Sequence, residues 1–236
     1  MCTPRCSSSR RATRRRSPTR SSYATGWTSS PRSARSSGWR PGTTGRDDGH
    51  MKIAAGQFTS VPGDIEANVG SMQGLVRAAA GQGAALVAFC ELAATGYDLD
   101  LIAGRPELWL AEDDPRLDPL REACRTTSTA ALVGCAALTS GPRPSISALV
   151  IGPDGELLAR YDKTHLYGEE NDVFTAGTRD GRFTLDGVRF AVAVCYDNRF
   201  PDVAERAKAD GCHVYVASSV LDEHNDSFGE GSIRSG

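Results

Sequence analysis

Three reactive side chains each stand at the end of a strand pattern in this sequence. Glu91 follows AALVAF, Lys163 follows ELLARYD, and Cys195 follows FAVAV. Functional groups in open α/β sheets gather at strand ends, and these three have complementary chemistry. A cysteine attacking an amide carbon needs a base to take its proton and to return one to the leaving amine. A carboxylate in a poorly solvated pocket, its pKa raised toward neutrality, can do both. The tetrahedral intermediate carries a negative oxygen that a fixed ammonium and a backbone N–H would stabilise. Glutamate, lysine and cysteine therefore suffice for covalent hydrolysis of an amide, with neither metal nor cofactor. Each residue also has a plain alternative. Glu91 could be a solvated loop carboxylate, Lys163 could pair with Asp162, and Cys195 could be a small hydrophobe at a strand end, since free cysteine is among the most buried residue types.

The elements that must position these groups are readable from hydrophobic period. Residues 51–58 (MKIAAGQF) read as a strand, and Asp64 is an N-cap for the helix that follows. The helix carries Ile65, Val69, Met72, Val76 and Ala79 on one stripe. Residues 84–89 then form a short, wholly apolar strand, so strand, helix and strand predict a sheet covered by helices. A weaker helix spans 118–128 and a buried strand 130–138. Residues 146–151 and 156–161 flank Pro153-Asp154-Gly155, and 182–185 and 188–194 flank Asp186-Gly187. Asp-Gly between two strand patterns predicts a hairpin in both places. The second hairpin runs into Cys195, a polar turn, and a helix over 201–210 opened by Pro201, where a missing N–H has no consequence. A strand over 213–218 follows, and after Leu221 the amphipathic period is lost. There is no internal repeat.

The net charge of −2 conceals two unlike parts. Residues 1–50 hold eleven arginines against Asp47 and Asp48, with no lysine or glutamate, so they carry +9 and leave about −11 for the rest. They contain no Leu, Ile, Val or Phe and cannot bury enough apolar surface to offset chain entropy. The expectation is a disordered Arg/Ser-rich arm at 1–50 and a globular domain over 51–236. A mistranslated upstream stretch is preferred for the arm because globular patterning begins at Met51. A targeting peptide comes second. A nucleic-acid tail comes third, since only Tyr23, Trp27 and Trp39 are scattered through it without a fold motif. No run approaches eighteen apolar residues, so no membrane span is expected. Seven cysteines without dense even spacing predict a reducing compartment, the cytoplasm. His165 with Glu169 and Glu170 could be offered as metal ligands, but the chain lacks HExxH spacing and no metal site is predicted.

At the three strand ends the sequence resembles the nitrilase superfamily, the carbon–nitrogen hydrolases. The glutamate block is Ala88-Phe89-Cys90-Glu91-Leu92 with Thr95-Gly96-Tyr97. The lysine block is Tyr161-Asp162-Lys163-Thr164-His165-Leu166-Tyr167-Gly168-Glu169-Glu170, followed by Phe174-Thr175-Ala176-Gly177. The cysteine block is Cys195-Tyr196-Asp197-Asn198-Arg199-Phe200-Pro201-Asp202. Ala54-Ala55-Gly56-Gln57 looks like the family's first strand, and the likeness covers about residues 51–219. It implies an α/β fold, an α-β-β-α sandwich of the nitrilase type, usually dimerised, and hydrolysis of a non-peptide carbon–nitrogen bond in a small carboxamide or carbamoyl compound. It makes Cys195 the nucleophile, Glu91 the base and acid, and Lys163 the oxyanion donor with the backbone N–H of Tyr196. It points to Glu170, with Glu169 as alternative, as a second glutamate that helps place the substrate. Asp197 and Arg199 look like residues that hold the nucleophile turn. Two departures stand out. Cys90 replaces the proline usual before the glutamate, and the family continues past the strand at 213–218, so a domain incomplete at the C-terminus is expected. A nitrile hydrolase using the same triad and a truncated, non-catalytic remnant are the competing readings.

Overall fold

The computed structural model describes residues 51–220. The expectations for the arm at 1–50 and for the segment from Leu221 onward fall outside them. Strand β1 (Lys52–Gly56), helix α1 (Ile65–Ala80) and strand β2 (Ala84–Phe89) form the predicted strand-helix-strand unit, with β1 and β2 parallel. Asp64 caps α1 as its composition suggested, its side chain accepting from the Ala67 N–H. The stripe Ile65, Val69, Met72 and Val76 is buried.

Helix α2 (Leu99–Gly104) follows β2; its short, weakly patterned sequence gave no helical period to read. Asp98 caps it, accepting from the Leu101 N–H. Helix α3 (Asp118–Thr127) and strand β3 (Ala130–Ala137) come next, and β3 lies parallel to β2. Strands β4 (Ser145–Ile151) and β5 (Leu157–Asp162) are the first predicted hairpin and complete a five-stranded sheet in the order β1-β2-β3-β4-β5. After the short helix α4 (Glu170–Val173), strands β6 (Phe183–Leu185) and β7 (Val188–Val194) form the second hairpin. Helix α5 (Pro201–Ala209) leads to strand β8 (Val214–Ser218), parallel to β7, in a three-stranded sheet of order β6-β7-β8.

Alternation along the strands builds two cores. One face of β2, β3 and β4 contributes Val87, Phe89, Ala131, Val133, Cys135, Leu149 and Ile151, packed with α1 and α3. The other face contributes Leu86, Leu132, Ala136, Ile146, Ala148 and Val150, packed against Phe190, Val192 and Val194 of β7. With Val203 and Ala207 of α5 buried on the far side, the layers run helix, sheet, sheet, helix. This is the α-β-β-α sandwich, and the strand ends at Phe89, Asp162 and Val194 release their chains toward one region.

Candidate active site

The first side chain is delivered by a tight backbone crossing. After β2 the chain turns through Cys90, Glu91 and Leu92, with Leu92 at φ +52° and fully buried. The Thr95 and Gly96 N–H groups donate to the Leu92 carbonyl at 3.1 and 2.7 Å, and the Ala94 N–H donates to Gly134 O at 2.9 Å. Gly134, in the middle of β3, lets this turn lie on the sheet. A Cβ there would stand 2.3 Å from Cys90 O and 2.9 Å from the Glu91 Cα. Such a contact is far inside van der Waals range, so the glycine fixes where Glu91 sits.

Lys163 leaves β5 with its backbone pinned on both sides. Its N–H donates to Ile146 O at 2.8 Å, and its carbonyl accepts from the Gly177 N–H at 2.9 Å. The side chain is fully buried, and Nζ lies 2.7 Å from Glu91 Oε1 and 2.9 and 2.8 Å from Glu170 Oε1 and Oε2. Of the two candidate glutamates it is Glu170, buried at the start of α4, that meets the lysine; Glu169 is exposed. Two more donors hold Glu170: the Tyr97 hydroxyl at 2.6 Å from Oε1 and the Tyr167 N–H at 2.7 Å from Oε2. Glu91 Oε2 is buried and has no hydrogen-bond partner among the described residues.

Cys195 follows β7 directly, with φ +48°, and opens a 3-10 turn over Cys195–Arg199. Left-handed backbone at a non-glycine residue costs about 1–2 kcal/mol, so the surroundings must impose it. Asp197, fully buried, does much of this. Its Oδ2 accepts from the Val194 N–H at 3.1 Å and the Tyr161 hydroxyl at 2.8 Å, and its Oδ1 from the His165 N–H at 2.9 Å. His165 Nδ1 lies 3.0 Å from the same Oδ1. That nitrogen is assigned the proton, because a carboxylate only accepts. The imidazole also stacks on Phe200, with centroids 3.7 Å apart and planes 6° apart. One carboxylate thus ties the Cys195 turn to the strand and loop that carry Lys163. Tyr196 is the second residue of the 3-10 turn, and first-turn N–H groups have no acceptor within the turn.

The sequence profile described as Carbon-nitrogen hydrolase matches residues 52–232. The chain belongs to the carbon-nitrogen hydrolase family. Among relatives, a 2-oxoglutaramate amidase of Bacillus subtilis is 30% identical over 133 residues, covering 55% of this chain and 49% of its own length. A nitrilase of Pyrococcus abyssi is 30% identical over 176 residues, covering 72% of this chain and 65% of its own. The chain therefore spans about half to two thirds of these relatives. The crystal structure of an amidase from Nesterenkonia sp. superposes with a TM-score of 0.70 at 27% identity, covering 78% of this chain and 70% of that one. One variant of that amidase is in complex with butyramide, and another shows acrylamide added at the active-site cysteine.

Electrostatics separate the groups of this site sharply. Burial raises the Glu91 pKa, and Lys163 only partly offsets it. Burial works against the charge of Lys163 too, but the facing carboxylates of Glu91 and Glu170 win and its pKa is raised. The Cys195 thiol is pushed up to about 12 by burial and then by the negative charge of Glu91, with Lys163 opposing. It interacts with Glu91 but does not meet Oε2 in ordinary hydrogen-bond geometry. The resting state is a neutral thiol beside a lysine–dicarboxylate cluster. The grouping of His165 with Glu169 and Glu170 is not what the chain builds, since His165 turns to Asp197 and Glu170 to Lys163. Sequence reasoning missed Gly134 and the partnership of Tyr97 with Glu170. An isolated glycine inside a strand pattern was a usable sign of close backbone approach. Nothing in the sequence marked the reach of Tyr97 to a residue 73 positions away.

Proposed function

We propose that this chain hydrolyses a small carboxamide or carbamoyl compound through a thioester on Cys195. The observation that supports the reading best is the buried Glu91, one oxygen on Lys163 and the other without a donor, with the Cys195 thiol as neighbour. A buried polar atom without a partner costs about 1–3 kcal/mol, and such exceptions gather where a group has chemistry to perform. With the thiol near 12, a standing thiolate is not the nucleophile. The proton passes to Glu91 as sulfur attacks the carbonyl carbon. The oxyanion is met by Lys163 and the Tyr196 N–H. Collapse breaks the carbon–nitrogen bond, and Glu91 returns the proton to the leaving amine. Water then adds to the thioester, giving a proton to Glu91; the carbon–sulfur bond breaks and the thiol takes that proton back. Glu170 holds Lys163 in place.

Relatives named as amidases, and the butyramide complex of the Nesterenkonia enzyme, favour a primary amide over other carbon–nitrogen compounds. The free thiols Cys90, Cys124, Cys135, Cys195 and Cys212 favour a reducing compartment, the cytoplasm. The family resemblance favours a homodimer or larger homo-oligomer. The test is ammonia release by the 236-residue chain from butyramide, acrylamide, a carbamoyl amino acid and butyronitrile. Release from at least one amide or carbamoyl compound, lost in Cys195→Ala, is expected. Release from the nitrile alone, or from none, would overturn the proposal.

A further inference from the structure

The interior side of the site is closed by charged groups. Lys163, Glu91 and Glu170 are each 1% exposed or less, with the lysine bonded to both carboxylates. In the tetrahedral state the acyl carbon carries the cysteine sulfur, the oxyanion, the nitrogen and the acyl substituent. With the first three directed at Cys195, Lys163 and Glu91, the substituent leaves on the solvent side. Tyrosines stand there. Tyr97 is 39% exposed, and its hydroxyl donates to Glu170 Oε1 at 2.6 Å. Tyr167 is 54% exposed, and its N–H donates to Glu170 Oε2 at 2.7 Å. The Tyr167 ring then reaches the Cys195 turn, its centroid 5.0 Å from that of Tyr196. Tyr196 is edge-on to Phe200 at 5.2 Å, so the pair of rings is braced. Single exposed rings need no explanation, whereas rings grouped at a reactive site mark a ligand surface.

We infer that Tyr167, braced by Tyr196, is a specificity-determining residue: the amide accepted carries a flat, uncharged apolar acyl group and not a second carboxylate. This rests on the amide reading above and narrows it. A flat group lying on the Tyr167 ring gains ring–ring contact beyond its apolar burial. A carboxylate in the same place is opposed in three ways. The cluster holds two carboxylates against one ammonium, so it repels a further negative charge. The ring faces present the negative side of the aromatic quadrupole. The Tyr97 hydroxyl has a single proton, and that proton is already given to Glu170. Only the side chain of Tyr167 is invoked, because its N–H is held by Glu170, and alanine at this position keeps that hydrogen bond.

Three amides that differ at one end test this. They are butyramide, 3-phenylpropanamide, with phenyl in place of the terminal methyl, and succinamate, with a carboxylate there. Binding to Cys195→Ala, which cannot form the thioester, is measured by calorimetry, so the result does not depend on turnover. Kd for 3-phenylpropanamide is expected to lie roughly tenfold or more below that of butyramide. Kd for succinamate is expected to lie roughly tenfold or more above it. Tyr167→Ala in the same background should bring the phenyl compound within about threefold of butyramide, whereas Tyr167→Phe should keep the full difference. At so exposed a position either substitution should leave the thermal midpoint within about two degrees. The assignment would be overturned by succinamate binding as tightly as butyramide, or by no binding of any of the three. A phenyl advantage that survives Tyr167→Ala, or is lost equally in Tyr167→Phe, would also overturn it. If the expected order of affinities holds but wild type releases ammonia from no amide, the hydrolysis reading fails and the role of Tyr167 in binding stands.

Discussion

Glu91 leaves the five-stranded sheet from a strand buried along nearly its whole length and Lys163 from β5, buried at its last two residues, whereas Cys195 leaves a three-stranded sheet whose last strand, β8, is only partly covered. On the first side every charge has a partner before substrate arrives: an ammonium between two carboxylates, with Tyr97 and Tyr167 behind them. On the second side the proposed nucleophile is a thiol pushed up to about 12, on a left-handed backbone held through Asp197. Stability and reactivity are therefore expected to respond to different residues, although all of them meet in one place.

Breaking the charged side should have the largest effect on folding. Lys163→Met leaves Glu91 and Glu170 buried face to face without a counter-ion. Removing one member of a buried pair costs about 3–5 kcal/mol. At roughly 2–4 °C per kcal/mol for a domain of this size, the thermal midpoint should fall on the order of 10 °C. Cys195→Ala should abolish turnover and leave the midpoint within a few degrees. Equal losses of stability in the two variants, measured by calorimetry, would erase the distinction.

Gly134→Ala tests how tightly the five-stranded sheet places Glu91, the proposed base. The added Cβ would meet Cys90 O at 2.3 Å, so the turn carrying Glu91 must lift. A displacement near 1 Å at a reacting group costs about 10²-fold in rate, and kcat should fall by that much in an ammonia-release assay. Near-normal kcat would mean that the turn has slack.

The link between the sides is sharpened by His165. His165→Asn can return a donor to Asp197 at the place of Nδ1, whereas His165→Gln cannot. The expected result is near-normal turnover for asparagine and about a tenfold loss for glutamine, the size of one charge-assisted hydrogen bond. Equal activities would show that the stack on Phe200, and not the hydrogen bond, is what matters.

The smallest effect is a pH signature. As the proposed base, Glu91 must be ionised to accept a proton, and burial raises its pKa. Protonation as pH falls through that raised value removes the base, so kcat/KM should drop on the acid side and Glu91→Gln should flatten that limb. A thiol near 12 predicts that alkylation of Cys195 by iodoacetamide keeps rising with pH through 10. A plateau near neutrality would reveal a standing thiolate.

Much of this arrangement was legible before any coordinates. The apolar runs before Glu91 and Cys195 had to be strands buried on both faces, and the half-polar run before Lys163 one arm of a hairpin. The two Asp-Gly hairpins then fixed which runs are antiparallel neighbours. Helix α2 was not legible because six residues hold too little period, and its N-cap Asp98 lies in a polar stretch that reads as loop. The role of Gly134 was visible in principle as a glycine inside a strand, but what it accommodates comes from a turn more than forty residues earlier. The resemblance pointed to Glu170 over Glu169, but not to the physical reason that one of two adjacent identical side chains is buried. That reason lies in which one α4 turns inward, and this is set by the lysine and tyrosine it meets.

The residue that carries the acyl group decides the proposed mechanism. Wild-type protein quenched in acid during turnover of butyramide, digested and analysed by mass spectrometry, should show a butyryl adduct on the peptide bearing Cys195 and on no other cysteine. Full turnover by Cys195→Ala, or an acyl group on Cys90 or Cys212 in place of Cys195, would contradict it.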